Sequence, residues 1–273
     1  MNDSLMDKAV IMARGLGTRM RKGDQSAQMS NEQEAIADTG VKAMIPIDRP
    51  FLDYVLHNLS EAGYREICLV IGPEHDKLRH YYQNMECRRF SIEFAIQAEP
   101  LGTADAVLAA EDFVGNDPFL VINSDNYYPI EALAGLRKLN GSGLAAFVRE
   151  SMFAGGNIPA ERLTKFAVIR SDSRGFMTNI IEKPDKQTIE QLPEPVCVSM
   201  NCWRFNPSIF TACRSISPSP RGEMEIPDAV QYSIDSLGER FTSLVIHAPV
   251  LDLSSRTDIV SVVEKLAGME VNL

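Results

Sequence analysis

Between residues 8 and 148 this chain alternates short β-rich apolar runs with stretches of helical spacing, and few architectures accommodate that alternation. Lys8–Met12 reads KAVIM, a buried strand that ends at glycines. Residues 50–62 open on Pro50, carry Leu52, Val55, Leu56 and Leu59 at helical intervals, and stop at Gly63. Strand patterns follow at Glu66–Ile71, Ser91–Ile96, 118–123 and 144–148, with helical patterns at 74–84, 103–110 and 130–139 between them. Thr103 is the expected N-cap of its helix. A strand–helix–strand step returns to a parallel neighbour through a right-handed crossover. The expected class is therefore α/β, a doubly wound, mostly parallel sheet. Ligands of such sheets sit beyond the carboxyl ends of the strands, so the loops after Met12, Ile96 and Ile122 are expected to line one cleft.

The second half reads differently. Short strands at 166–170, 179–182 and 196–205 are separated by turns, and Pro184, Pro193 and Pro195 break the connections. A helix at 226–237, a strand at 241–250 and a closing helix at 257–266 complete the chain. Residues 1–150 are read as an α/β half and 151–273 as a β-rich extension over the open end of the sheet, within one compact domain. Residues 21–40 are polar and lack periodicity, which predicts a mobile loop beside the glycine turn, placed to act as a lid.

Composition narrows the partners. The net charge of −10 leaves no basic surface for a nucleic-acid backbone, so none is expected. Local Lys and Arg with a divalent cation can still neutralise a phosphate on an acidic protein. The five cysteines are odd in number and lack a CxxC pair, and the four histidines show no metal-ligand spacing, so neither a disulfide framework nor a zinc site is indicated. No apolar run approaches the ~20 residues of a membrane span. The N-terminus does not read as a signal peptide. A soluble, cytoplasmic protein with no membrane partner is expected.

Seven segments carry residues with chemical use. Gly15-Leu16-Gly17-Thr18-Arg19 follows the first strand; its glycines let backbone N–H groups face phosphate oxygens, and Arg19 adds a permanent cation. It is neither a Walker A loop nor a dinucleotide GxGxxG. Lys42 precedes Ala43-Met44-Ile45-Pro46-Ile47. Gln97 ends a strand before Glu99-Pro100-Leu101-Gly102-Thr103, and its amide can read a base edge. Asp125 stands at the end of the strand PFLVIN, well placed for a divalent cation on a nucleotide. Glu182-Lys183-Pro184, Asn201-Cys202-Trp203 and Gly222-Glu223-Met224-Glu225-Ile226-Pro227-Asp228 complete the set.

In this order the segments resemble the sugar-1-phosphate nucleotidyltransferases, in particular the glucose-1-phosphate thymidylyltransferase and uridylyltransferase group. The resemblance runs from about Lys8 to Asp228, with a weaker tail at Leu251-Asp252. It implies a Rossmann-like nucleotidyltransferase fold whose first half binds the nucleotide and whose β-rich half binds the sugar phosphate. It implies Mg²⁺-dependent transfer from an NTP, dTTP or UTP, to a sugar 1-phosphate, with release of pyrophosphate. By position, Gly15, Gly17 and Thr18 cradle phosphates, and Arg19, Lys42 and Lys183 supply the reacting-centre cations. Gln97, Gly102 and Thr103 contact the nucleotide, Glu182 and Asn201 the sugar, and Asp125 and Asp228 the metal. Assembly of copies through the β-rich half is implied by the same analogy. Departures exist: Arg14 stands where a small residue is usual, and Ala167 where a glycine is expected. Two other readings are a cytidylyltransferase acting on a non-sugar phosphate such as phosphocholine, supported by Trp203, and a non-catalytic nucleotide-sensing subunit.

Overall fold

Ala9, Val10 and Ile11 leave strand β1 (Lys8–Met12) no face for water, and all three are fully buried. Side chains alternate across a strand, so Ala9 and Ile11 enter one hydrophobic core while Val10 and Met12 enter a second on the opposite face. The sheet is thus covered on both sides, as the alternating pattern requires. The computed structural model describes residues 6–24, 27, 29–182 and 184–273.

β1 is flanked by parallel neighbours, β2 (Glu66–Ile71) and then β3 (Ser91–Ile96) on one side and β4 (Phe119–Asn123) on the other. The remaining strands are β5 (Asn126–Tyr127), β6 (Ser142–Val148), β7 (Val168–Ser171), β8 (Met177–Ile181), β9 (Cys197–Phe205), β10 (Phe241–Ile246) and β11 (Leu251–Asp252). The main sheet runs β10-β6-β9-β4-β1-β2-β3. Its order reverses at β1 and β4, which is where a doubly wound sheet opens a ligand crevice. The class is the mixed α/β, mostly parallel one expected.

The β-rich half differs from expectation in one respect. β9 inserts antiparallel between β4 and β6, and β10 pairs parallel with β6. The β7–β8 hairpin joins the sheet off this path, through Val168 and Ile169 to β9. The long strand expected over 241–250 ends at Ile246, and Leu251–Asp252 pairs instead with Asn126–Tyr127. Between Leu144 and Ala146 the β6–β9 register slips, so β9 bulges through 200–202.

Part of the 21–40 segment, read as a loop, has regular structure. Asn31–Thr39 is a helix, started by a capping box in which Ser30 Oγ accepts the Gln33 N–H and the Gln33 side chain accepts the Ser30 N–H. Arg256, on the closing helix Arg256–Leu266, donates from Nε to Met20 O at 2.8 Å and pairs with Asp38. The helix is therefore anchored from its far side. Thr103 also differs: Gly102 is the cap, and Thr103 is the first helical residue of Thr103–Ala109.

Candidate active site at the strand ends

The glycine loop turns where β1 ends. Gly17 has φ 59° and caps the short helix Thr18–Arg21. A Cβ on Gly17 would lie 2.2 Å from Gly40 O, so this glycine is required by a backbone-to-backbone approach. Gly15 has no such reason, because a Cβ there would meet nothing within 4 Å. The free space over Gly15 belongs to the cleft, which has a volume of about 470 Å³.

The cleft gathers ten of the thirteen residues expected from the sequence. Gly15, Gly17, Thr18 and Arg19 line it from the first loop, Lys42 from the segment after Gly40, and Gln97, Gly102 and Thr103 from the loop after β3. Asp125 enters after β4, and Asn201 from the bulge of β9. Arg19 is exposed, and no described side chain pairs with it. Lys42 Nζ donates to Asp125 Oδ2 at 2.7 Å. The two charges balance each other at the mouth of the switch point.

Each polar group is held by its own support. Asn201 has φ 52°, a left-handed conformation that asparagine tolerates, and its Oδ1 accepts the Trp203 Nε1–H at 3.3 Å. Gln97 donates from Nε2 to Gly102 O at 3.0 Å and to Asp105 Oδ2 at 2.8 Å. Gly102 has φ 119°, and a Cβ on it would meet Met224 O at 2.4 Å, so close packing of the 223–226 segment accounts for this glycine. Thr103 Oγ1 accepts the Ile226 N–H at 2.9 Å, tying the same segment down.

Behind Asp125 lies a buried polar network. Asn126 Nδ2 donates to Asp252 Oδ1 at 3.0 Å, and Leu253 N donates to Asp125 O at 2.9 Å. Burial raises the Asp252 pKa, and the like charge of Asp125 adds to the rise. Arg162 opposes it, pairing with Asp252 and also with Asp258 at 2.8 Å.

Of the expected residues that are described, two are not in the cleft lining, and a third lies outside the description. Lys183 lies outside the described residues. Glu182 follows β8 and does not line the cleft. Asp228 is exposed in the first turn of the helix Ile226–Asp235, and burial, with the neighbouring charge of Glu225, raises its pKa. Glu223, quoted in the 222–228 segment but given no role, and Arg221, which the sequence reading passed over, do line the cleft. Arg221 pairs with Glu225 at 2.6 Å, and this hydrogen bond raises its pKa, with a smaller contribution from the charge of Glu182. Its signal was Gly222 within the segment that carries Asp228. Among the described residues no cluster of three or more His, Cys, Asp or Glu could hold a metal by itself. Two other hollows, of about 620 Å³ along β3 and 640 Å³ beside Arg162, gather no comparable set of strand-end loops.

The turn after β2, whose Glu74 pairs with Arg14, carries a buried histidine. His75 is 7% exposed, and its Nδ1 accepts the Gly72 N–H at 3.1 Å, which requires that nitrogen to be unprotonated. Burial lowers its pKa from the ordinary 6.5, against the pull of Glu74. A lowered base adds stability in full above 6.5 and loses it as the pH falls from 6.5 through the folded value. His75→Asn keeps an acceptor for Gly72 but binds no proton. Melting curves between pH 7 and 5 are therefore expected to slope less steeply in the variant than in the parent protein.

All five cysteines are free thiols, four of them buried. Among the described residues no helix is long and apolar enough to cross a membrane.

A solved structure of a UDP-glucose pyrophosphorylase complexed with UDP-glucose superposes with a TM-score of 0.74 at 21% identity, covering 95% of this chain and 98% of that one. That likeness establishes the fold. The low-salt glycan biosynthesis nucleotidyltransferase Agl11 of Haloferax volcanii is 31% identical over 241 residues, 84% of this chain and 59% of that protein. The glucose-1-phosphate thymidylyltransferase of Streptomyces griseus is 28% identical over 256 residues, 93% of this chain and 64% of that protein. The chain thus spans about three fifths of the length of these two relatives. The sequence model of the family described as nucleotidyl transferase matches residues 8–243, from the first residue of β1 into β10. With most of its sheet and every loop of the cleft inside that match, the chain belongs to the nucleotidyl transferase family.

Proposed function

We propose that this chain transfers a nucleotidyl group from an NTP to a sugar 1-phosphate and releases pyrophosphate. The observation that carries the reading is the convergence of Gly15–Arg19, Lys42, Gln97, Asp125 and Asn201 on one cleft at the switch point. A phosphate oxygen of the sugar 1-phosphate attacks the α-phosphorus in line. A new phosphorus–oxygen bond forms, and the bond from the α-phosphorus to its bridging oxygen breaks. The nucleophile is already an anion near neutral pH, so no general base is needed. What remains is to hold two mutually repelling anions together and to offset the charge on the departing pyrophosphate.

The loop N–H groups and Arg19 face the triphosphate, and Lys42 exchanges Asp125 for phosphate. Gln97 and Gly102 meet the base, Asn201 the sugar. Arg221 adds a cation from the second half of the chain, where Lys183 and Glu182 are also assigned by resemblance. Mg²⁺ fits this donor set, because it takes one or two carboxylates, phosphate oxygens and water rather than an all-protein cage. Asp125 would hold it; Asp228, the other expected ligand, lies outside the cleft lining. Bound, the ion supplies Lewis-acid neutralisation of the phosphates.

The names of the relatives favour glucose 1-phosphate with dTTP or UTP. A phosphocholine reading loses its one support: Trp203 is fully buried and spends its N–H on Asn201, so it cannot cage a quaternary ammonium. Pyrophosphate release from NTP, Mg²⁺ and a panel of sugar 1-phosphates tests the transfer. Arg19→Ala is expected to lower kcat by about 10³-fold with the fold intact. Absence of release with every pair would overturn the reading in favour of a nucleotide sensor.

A further inference from the structure

The cleft contains a guanidinium that nucleotidyl transfer does not call for. Arg14 follows β1 directly, and its Nε and Nη2 donate to Glu74 Oε1 and Oε2 at 3.1 and 3.3 Å. Its Nη1 donates to the Gln97 carbonyl oxygen at 2.5 Å. The side chain is 8% exposed, yet it lines the cleft. This clamp has been given room. A Cβ on Gly72 would lie 2.3 Å from Glu74 Oε2 and 2.4 Å from Arg14 Nε. Arg14 therefore bridges the ends of β1, β2 and β3, and a side chain at Gly72 would have to push the Arg14–Glu74 pair aside.

Gln97 is fixed just as firmly. Gly102 O and Asp105 Oδ2 are both acceptors, so they consume the two amide N–H groups and settle which way the amide points. Its Oε1 is the group left for a ligand. A guanidinium has five N–H groups, and the three bonds to Glu74 and Gln97 leave Arg14 one on each terminal nitrogen.

We propose that Arg14 is a base-selecting residue: beside the Gln97 acceptor it presents a donor, and the pair favours nucleobases whose edge carries a ring N–H next to a carbonyl. Uracil, thymine and guanine have that edge. Cytosine and adenine carry a bare ring nitrogen beside an amino group, which sets acceptor against acceptor and donor against donor. A wrong base then leaves near-buried polar groups unpaired, the strongest form of rejection such a pocket has. Glu74 is the positioning residue, since it fixes the plane of the guanidinium in a bidentate grip that lysine cannot reproduce. The inference rests on the nucleotide-transfer reading for its ligand, but not on turnover.

Calorimetric binding of UTP, GTP, CTP and ATP tests it in the parent protein, Arg14→Ala, Arg14→Lys and Glu74→Gln, each checked by its melting curve. UTP and GTP are expected to bind the parent at least about tenfold tighter than CTP and ATP. Arg14→Ala and Arg14→Lys should compress that ratio to within about threefold, with Glu74→Gln between. Should Arg14→Ala fail to fold, Arg14→Lys and Glu74→Gln carry the same comparison. Unchanged selectivity in the folded variants, or a parent protein that prefers CTP or ATP, overturns the proposal. Pyrophosphate release followed in the same samples separates the two ideas. Selective binding without release leaves base selection standing and removes the transfer reading, whereas release with selectivity unchanged in the variants does the reverse.

Discussion

Asp125→Asn is expected to lower kcat/KM by about 10³-fold while the melting temperature moves by no more than about 2 °C. The two halves of that expectation have one cause. Asp125 is 23% exposed at the end of β4 and contributes charge rather than packing. Its loss strands Lys42 but also relieves Asp252, whose carboxyl is held up partly by the like charge of Asp125. Those effects oppose each other in stability. In the proposed reaction they do not, because the neutral amide holds a divalent cation far less well than the carboxylate and no longer keeps Lys42 in place across the cleft. Steady-state pyrophosphate release and a thermal melt check the pair. Activity within tenfold of the parent would remove Asp125 from the reacting centre.

The largest stability effect is expected at Arg162, a residue outside the cleft lining. Its guanidinium is 14% exposed and compensates Asp252 and Asp258, which are 5% and 7% exposed. Removing one member of a buried ion pair costs about 3 kcal/mol or more, since the remaining charge stays buried without compensation. Arg162→Met should therefore lower the melting temperature by roughly 6–10 °C. Asp252→Asn introduced on top should recover part of the loss, because the stranded charge is then gone. Purely additive destabilisation in the double variant would show that Arg162 acts through packing instead. Turnover is expected to fall with stability in Arg162→Met, because Asp252 reaches the β4 loop through Asn126 and Leu253 N bonds Asp125 O.

Local periodicity carried much of the architecture. Lys8–Met12 could only be buried on both faces, and the 50–62 pattern matches the helix Phe51–Ala62 with its Gly63 stop. The helix Asn31–Thr39 escaped because it has no apolar stripe: Ala37 is its one buried residue. Its legible signal was the Ser30–Gln33 capping box. The place of β9 was not legible, because an antiparallel strand inserted between β4 and β6 is set by pairings far apart in sequence. In the site, short motifs located residues whose loop follows directly from a strand, such as Arg19, Gln97 and Asp125. They did worse on the 221–228 segment. There the cleft takes Arg221 and Glu223, while Asp228 goes to the outer face of a helix turn that only tertiary packing against 101–104 determines.

The contact between Gly17 and Gly40 has a consequence for how this chain can vary. Arg21 Nε also donates to Thr39 O at 3.0 Å, so the segment from 22 to 39 departs and returns at nearly the same point. It is an excursion closed at its neck, and the helix on it is pinned by Arg256 from outside. For an excursion of this kind, doubling the length costs only about 0.6 kcal/mol of closure entropy. The segment between the first cation, Arg19, and the second, Lys42, is thereby insulated: residues can be gained or lost along it while the spacing of the two charges across the cleft stays fixed.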